Sequence, residues 1–410
     1  MTESADRLSI SLIGTRGVPA TYGGFETAVE EIGRRLVERG HDVTVYCRRN
    51  GKPVLDEYLG MKLVFLPAIH HRILETLSHT ALSVLHAVTH RPDVAFVFNA
   101  GNAPLVPVLR ARGIPTTVHV DGLEWKRDKW GGAARRYYRW AEQASVRQAD
   151  ALIADAQGIV DYYLQEFAVP TELITYGTRI ITDAHSDKLV ARGLTPGGFH
   201  LVVARFEPEN HVDLIIEGYL ASDARLPLVV VGSAPYSLEH TRRITELAAS
   251  DPRVLLLGAV WDQDLLDQLY AHAATYLHGH SVGGTNPSLL RSMGAATAVL
   301  AWDVVFNREV LGSDGWFFHD PGSLAALIEV AEADPDHIRE VGQALQARAR
   351  AVYDWDAVAT AYESLALRLA AGHSTHGLSR GRLHDREWDM PRATQRPRSQ
   401  SSVQIKGTLS

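Results

Sequence analysis

Residues 8–40 read LSISLIGTRGVPATYGGFETAVEEIGRRLVERG, and three patterns follow one another along them. The apolar run 8–13 stops at a glycine, as a short strand buried on both faces does. A long loop follows, from Gly14 to Glu26. Phe25, Val29, Ile32 and Leu36 then recur at intervals of four, three and four, the period of a helix with one apolar stripe, and Gly40 is its stop. Strand, glycine-rich loop and amphipathic helix open a βαβ unit, so the expected sheet is parallel.

Outward from that unit the alternation repeats. Residues 42–47, 62–66, 94–99, 116–120, 151–154 and 173–176 are the further strands expected in a first doubly wound domain. The pattern thins over 177–198, where Ser186, Asp187, Arg192, Pro196 and glycines cluster, and restarts with HLVVARF at His200. Residues 227–232, 254–257, 275–277 and 298–301 are the next strands, with helical stretches such as 244–248 and 265–271 between them. The expected fold is α/β, two Rossmann-like doubly wound domains facing a central cleft. The boundaries fall at 1–180, a linker 181–198, a second domain 199–371 and a tail 372–410. Ligands of such sheets bind outside the carboxyl ends of the strands, so two facing domains make room for two substrates.

Composition narrows the function. The 410 residues are 46% hydrophobic and 22% charged, the balance of a packed protein rather than a disordered one. With 41 basic against 48 acidic side chains the net charge is −7, which offers nucleic acid or anionic lipid no whole-chain attraction. The single cysteine, Cys47, excludes an internal disulfide and a cysteine-based zinc cluster and suits a reducing compartment. The N-terminal stretch carries neither a basic region nor a long apolar one, and no apolar run reaches the length needed to span a bilayer. The expected location is the cytoplasm, with the inner face of the membrane open to it.

Two glycine-rich loops carry the chemistry. In the first, Gly14, Gly23 and Gly24 let the backbone approach a ligand, and the following helix start, where Glu26 lies, suits phosphate. The loop is not G-x-G-x-x-G, and Arg48 and Arg49 stand where a dinucleotide enzyme places an acid, so a nicotinamide cofactor is not expected. The second loop is HGHSVGGTNPSLLRSMGA, residues 278–295. Asn286 is a good N-cap and Pro287 a good first helical residue, which sets Gly283, Gly284 and Thr285 just before a helix N-terminus, with Ser288 inside it. That geometry fits a diphosphate. Arg205, after the strand LVVA, would project into the same cleft, unless it merely pairs with Glu207 or Glu209 on the surface. In the first domain VHVDGLEWKRDKW, residues 118–130, packs His119, Asp121, Glu124, Lys126, Arg127 and two tryptophans behind a strand, the mixture expected of a sugar or acceptor site. Any one of them, His119 above all, has a plain structural reading as a satisfied core residue.

Other features read as structure. Asp354-Trp355-Asp356 matches D-x-D but precedes an amphipathic stretch and reads as a helix cap. HGH at 278–280 and His70-His71 have no metal-ligand spacing, so no metal is expected. Residues 74–88, LETLSHTALSVLHAV, form an amphipathic stretch that either packs on the first sheet or meets a lipid-linked acceptor. The tail carries six arginines and one lysine against three acids and reads as a disordered basic segment, solvated or docked to anionic lipid.

The segments GTRGVPATYGGFET, LETLSHT, DGLEWKR, ARFEPEN, HGHSVGGTNPSLL and FNREVL, in this order, resemble the GT-B glycosyltransferases of family 4, and within them a bacterial polysaccharide rhamnosyltransferase-like branch. The resemblance covers about residues 8–370. It implies retaining transfer of a sugar, rhamnose among the candidates, from a dTDP- or UDP-activated donor to a glycan or lipid-linked acceptor in cell-surface or exopolysaccharide synthesis, with no cofactor and no bound metal. By position it implies that the 14–24 loop flanks the donor diphosphate and acceptor, that His119 or Asp121 approaches the transferred sugar, that Arg205 meets the diphosphate, and that 283–288 cradle phosphate and sugar. Glu26, Glu124, Lys126 and Arg127 fall on the acceptor side. Two positions depart from the family. Its Glu-x7-Glu pair is matched by Gly283 and Arg291, and arginine has no acceptor lone pair for a ribose. Its lysine five residues beyond the arginine is matched by Asn210. Arg291 is the expected replacement for the missing charge near the nucleotide. Those same substitutions keep a second reading open, a catalytically silent nucleotide-sugar-binding subunit, and a third is a sugar-nucleotide epimerase, which needs paired acid and base groups around the sugar.

Overall fold

The computed structural model describes residues 7–20, 23–49, 54–69, 74–120, 122–127, 130–234 and 237–375. Among the described residues there are fourteen strands: β1 Ser9–Ile13, β2 Asp42–Arg48, β3 Glu57–Tyr58, β4 Met61–Leu66, β5 Val94–Phe98, β6 Thr116–His119, β7 Ala151–Ala154, β8 Glu172–Leu173, β9 His200–Val203, β10 Leu228–Val231, β11 Val254–Gly258, β12 Thr275–His278, β13 Ala298–Trp302 and β14 Trp316–Phe318. The helices are α1 Gly24–Glu38, α2 Leu74–His90, α3 Val106–Ala111, α4 Gly132–Gln148, α5 Gln157–Phe167, α6 Asp187–Val190, α7 Val212–Leu220, α8 Leu238–Ala249, α9 Gln263–Ala271, α10 Pro287–Gly294, α11 Val305–Leu311, α12 Pro321–Ala333, α13 Pro335–Val352 and α14 Trp355–Ala370.

β1 to β8 form one sheet in the order β3-β4-β2-β1-β5-β6-β7-β8, and β9 to β14 a second in the order β11-β10-β9-β12-β13-β14. Every pairing is parallel except β3 against β4. Helices cover both faces, so the central strands are buried on both sides and read as continuous apolar runs; Leu12 and Ile13, neighbours pointing to opposite faces, are both fully buried. This is the expected pair of doubly wound domains. In the first sheet the winding reverses between β1 and β5, and in the second between β9 and β12, and those two points aim the loops described below.

In α1 the expected stripe is buried at Val29, Ile32 and Leu36 and joined by Ala28, while Phe25 is half-buried, and Gly40 turns the chain at φ +96°. The expected strand 173–176 is reduced to the two residues of β8, with one further bond from Ile174 N–H to Ala154 O. β3 and β14 were not expected; the first is two residues long and the second is three consecutive aromatics without alternation.

The linker 181–198 is fastened to the second domain. Ile181 N–H donates to Gly294 O, and Lys188 and Leu189 N–H share Gln268 Oε1 at 3.0 and 3.3 Å. The last helix departs from sequence order. α14, expected with the second domain, lies against the first: Arg35 donates to Asp356 at 2.7 Å, Arg39 to Glu363 at 2.7 Å, Arg368 to Glu172 at 2.9 Å, and Tyr362 packs on Phe96. Among the tail residues, Ser374 and Thr375 bond Asp150; residues 376–410, with the rest of the expected disordered segment, lie outside the described residues.

Candidate active site

The first loop is built from backbone that glycine permits. Gly14 sits at φ +102°, where a Cβ would lie 2.5 Å from Phe98 O and 2.9 Å from the Asn102 amide, so the loop leaves β1 pressed against the β5 end. Glu26 accepts from Arg16 N–H at 3.0 Å and Glu30 from Ala20 N–H at 2.6 Å, which ties the loop back onto the first turns of α1. Glu26 is therefore engaged with its own loop, and burial pushes its carboxyl up. A Cβ on Gly23 would strike that carboxylate, and one on Gly24 would lie 2.8 Å from Pro287 Cγ, in the second domain.

The 118–130 segment divides. His119 is 2% exposed, enclosed by Phe25, Phe98 and Tyr176, with Nδ1 3.3 Å from the Tyr362 hydroxyl of α14. Burial holds it neutral, with its pKa lowered to about 3, and its Nε2 has no hydrogen-bond partner. Asp121 lies outside the described residues. Glu124 forms an ion pair with Arg127 Nε at 2.7 Å and accepts from the Trp130 indole at 3.2 Å, and Lys126 lies over the Trp125 ring. Arg127 is nearly buried and reaches the second domain, with Nη1 4.0 Å from Glu209 Oε1.

On the second domain's side, the β9–α7 and β12–α10 loops meet at the reversal of winding. Arg205 Nη2 is 3.5 Å from Glu207, the pairing its plain reading expected, and one third of its side chain remains exposed. Asn210 donates to Arg205 O at 2.8 Å and its Oδ1 lies 2.6 Å from His280 Nδ1, so one amide joins the two loops. Ser281 N–H and hydroxyl both donate to Glu209 O, at 2.9 and 3.0 Å. Asn307, in the FNREVL segment, donates to His280 O at 2.9 Å. Burial holds His280 well below the usual imidazole range, and the nearby positive charges of Arg127 and Arg205 push the same way.

The 283–288 segment takes the expected shape. Asn286 caps α10 by accepting from Ser288 N–H at 2.9 Å, Pro287 is its first residue, and Ser288 also receives the Tyr276 hydroxyl at 3.0 Å. Gly283 and Gly284 serve a purpose the sequence did not disclose, which is domain contact. A Cβ on Gly122 would collide with Gly283, one on Gly284 would collide with the Asp155 carboxylate, and Thr285 donates to Asp155 O at 2.6 Å. Arg291, expected near the nucleotide, is held against α9. Its guanidinium makes four hydrogen bonds to α9, two to Asp267 Oδ1 and two to Gln263, and lies over the Tyr270 ring.

The structure thus gathers Arg205, Asn210, Gly283, Gly284, Thr285, Asn286 and Ser288 with Arg127 along one seam, and brings Gly24 of the first loop to its edge. Sequence reasoning missed Glu209 and His280 as members; both stood inside quoted motifs, but only the fold brings the two loops together. Among the described residues no three His, Cys, Asp or Glu side chains group so as to hold a metal ion, and no helix is long and apolar enough to cross a membrane.

Two facing doubly wound domains with their loops converging on one seam define a GT-B architecture. The glycosyl transferase 4-like domain family matches residues 23–177 and the glycosyl transferases group 1 family residues 199–334, together most of the chain, so this protein belongs to the GT-B glycosyltransferases. No curated protein sequence matches it. Among solved structures it is similar to sucrose-phosphate synthase from Thermosynechococcus elongatus, with TM-score 0.76, 21% identity and coverage of 89% of this chain and 100% of that one. It is similar also to Anabaena HepE in complex with UDP and glucose, with TM-score 0.71, 17% identity and coverage of 88% and 99%. For trehalose 6-phosphate synthase from Burkholderia multivorans the values are 0.65, 14%, 90% and 100%. At these identities the likeness is one of fold.

Proposed function

We propose that the protein transfers a sugar from a dTDP- or UDP-activated donor to a glycan or lipid-linked acceptor in bacterial cell-surface or exopolysaccharide synthesis, with retention at the anomeric carbon and without a resident metal or other cofactor. Rhamnose is the sugar favoured by the sequence resemblance. The observation that carries the reading is the seam itself: Arg205 and the N-terminus of α10 lie at the reversal of winding of the second sheet, facing the first domain. That the fold neighbour HepE is seen with UDP and glucose supports a donor of this class.

Transfer breaks the bond between the anomeric carbon and the diphosphate oxygen, forms one from the acceptor hydroxyl on the same face, and passes the hydroxyl proton to the departing phosphate. The charge to be stabilised is on the leaving diphosphate. An arginine and the positive end of the α10 dipole perform that work, and no protein nucleophile is needed. The acceptor would enter over the first domain. There α2 buries His79, Thr80, Ser83, Val84 and Ala87 and exposes Leu74, Leu82 and Leu85, an inversion that supports a lipid-bearing acceptor and contact with the inner membrane face.

The test is a thermal-shift and hydrolysis screen with dTDP-rhamnose, UDP-glucose, UDP-galactose and GDP-mannose, wild type beside Arg205→Ala. One donor is expected to raise the melting temperature, to lose that shift in the variant, and to release nucleoside diphosphate slowly. Binding without release, even with lipid-linked glycans present, identifies a silent subunit, and interconversion of free nucleotide sugars an epimerase.

A further inference from the structure

Glu209 lies on the loop between β9 and α7, is 3% exposed, and has no hydrogen-bond partner on either carboxylate oxygen. Its backbone carbonyl is fixed by two bonds from Ser281, so the side chain is held by a rigid base while its polar end stays unsatisfied. The groups around that end are Arg127 at 4.0 Å, across the seam, the residue's own backbone N–H, and the carboxyl of Glu207, which is close enough to share a proton with it and is itself 3.5 Å from Arg205. Burial and the neighbouring Glu207 push the Glu209 carboxyl up, with Arg127 opposing.

A carboxylate withdrawn from water without hydrogen-bond donors is destabilising, and a fold carries such a group where a ligand supplies the donors. Arg127 is engaged with Glu124 at 2.7 Å, which leaves it at the edge of charge contact with Glu209. A second anion beside Glu207 and Glu209 would be repelled, so the phosphates belong nearer Arg205 and α10, and a hydroxyl-bearing group belongs beside Glu209.

We infer that Glu209 binds the transferred sugar, accepting hydrogen bonds from its ring hydroxyls while the diphosphate is held by Arg205 and the start of α10. This rests on the glycosyl-transfer reading and names the group that recognises the sugar as distinct from the nucleotide. The selectivity follows: a donor epimer whose hydroxyl turns away from Glu209 leaves the carboxylate unpaired again and is disfavoured, because the buried acceptor goes unsatisfied.

The experiment compares equilibrium binding of UDP and dTDP with that of UDP-glucose and dTDP-rhamnose by wild type, Glu209→Gln and Glu209→Ala, with the melting temperature of each ligand-free protein. The expected result is that nucleotide-sugar affinity falls about ten-fold or more, as loss of a hydrogen bond to a charged group implies. Nucleoside diphosphate affinity stays within two-fold, and the ligand-free melting temperature is unchanged or higher. Equal weakening of both ligands, no weakening of the sugar, or tighter nucleoside diphosphate binding would each overturn it, the last by showing Glu209 to be a counter-ion for Arg127. A fall in melting temperature in both variants would show a structural role and overturn it as well. Wild type that binds none of the four overturns the donor-site reading, and is distinguishable because it precedes any comparison of variants.

Discussion

Glu142 on α4 is 5% exposed, receives the Tyr162 hydroxyl at 3.2 Å, and has Arg139, Trp125 and Glu166 around it. Burial pushes its pKa up to about 7. A carboxyl raised from its unfolded value stabilises the fold fully while protonated in both states, and that contribution is lost as pH rises through about 4.5 to 7. Glu142→Gln keeps the acceptor for Tyr162 and removes the titration. The variant is therefore expected to gain on wild type by roughly 2–3 kcal/mol between pH 5 and pH 8, read as the difference of their urea midpoints at the two values. Gly14→Ala belongs at the same scale: with φ +102° and the Phe98 carbonyl 2.5 Å from the new methyl, a loss of about 2–4 kcal/mol is expected in the same assay. What the sequence disclosed here were groups whose partner is close in the chain. Asn286 caps Ser288, and Asp354 caps Ala357, so D-x-D is a helix start as expected. Arg291 and His119 show the limit. Charge and residue type are legible, but the partner that absorbs a side chain, Asp267 for Arg291 or Tyr362 for His119, is chosen by the fold.

Elements were legible where burial imposes a period. Strands with both faces covered are apolar throughout, and α1 has its stripe, so these appeared in the sequence nearly at their observed bounds. The address of α14 was not legible, since an amphipathic period states that a helix packs and not on what. Its consequence is mechanical. Tyr362 is 1% exposed against Phe96 and His119, so Tyr362→Ala is expected to destabilise the first domain by about 3–5 kcal/mol. Hydrogen exchange should then rise in β5 and β6 ahead of β9 and β10; uniform acceleration would show that α14 does not act as a local clamp. α2 makes the opposite prediction. Leu82 and Leu85 are 38% and 56% exposed and lie outside the buried core, so Leu82→Ser with Leu85→Ser should leave the melting temperature within about 2 °C. If α2 meets lipid, the double variant loses co-sedimentation with anionic phospholipid vesicles that wild type shows.

At the scale of the molecule, two sheets are joined by a linker pinned to one of them and a terminal helix pinned to the other, and they meet at the seam. The seam is closed by small residues: Gly122 on Gly283, Gly284 on Asp155, Gly24 on Pro287. Glycine here is a device for approach between domains, which the sequence reading had assigned to approach between backbone and phosphate. The two uses are separable. Gly284 has an ordinary negative φ, so a side chain there strains no backbone and acts only through the Asp155 carboxylate it would meet. Gly284→Val is expected to hold the domains apart by about the width of a methyl group while leaving each sheet intact. Under the glycosyl-transfer reading the nucleotide's contacts on the second domain survive and the acceptor's alignment does not. Nucleoside diphosphate affinity should stay within a few-fold while turnover falls by about a hundred-fold, the scale set by a displacement near 1 Å at the reacting atoms. If nucleotide affinity instead collapses with turnover, the glycine contacts the donor directly; if turnover is unchanged, the seam is not the reacting cleft and transfer must be sought elsewhere on the molecule.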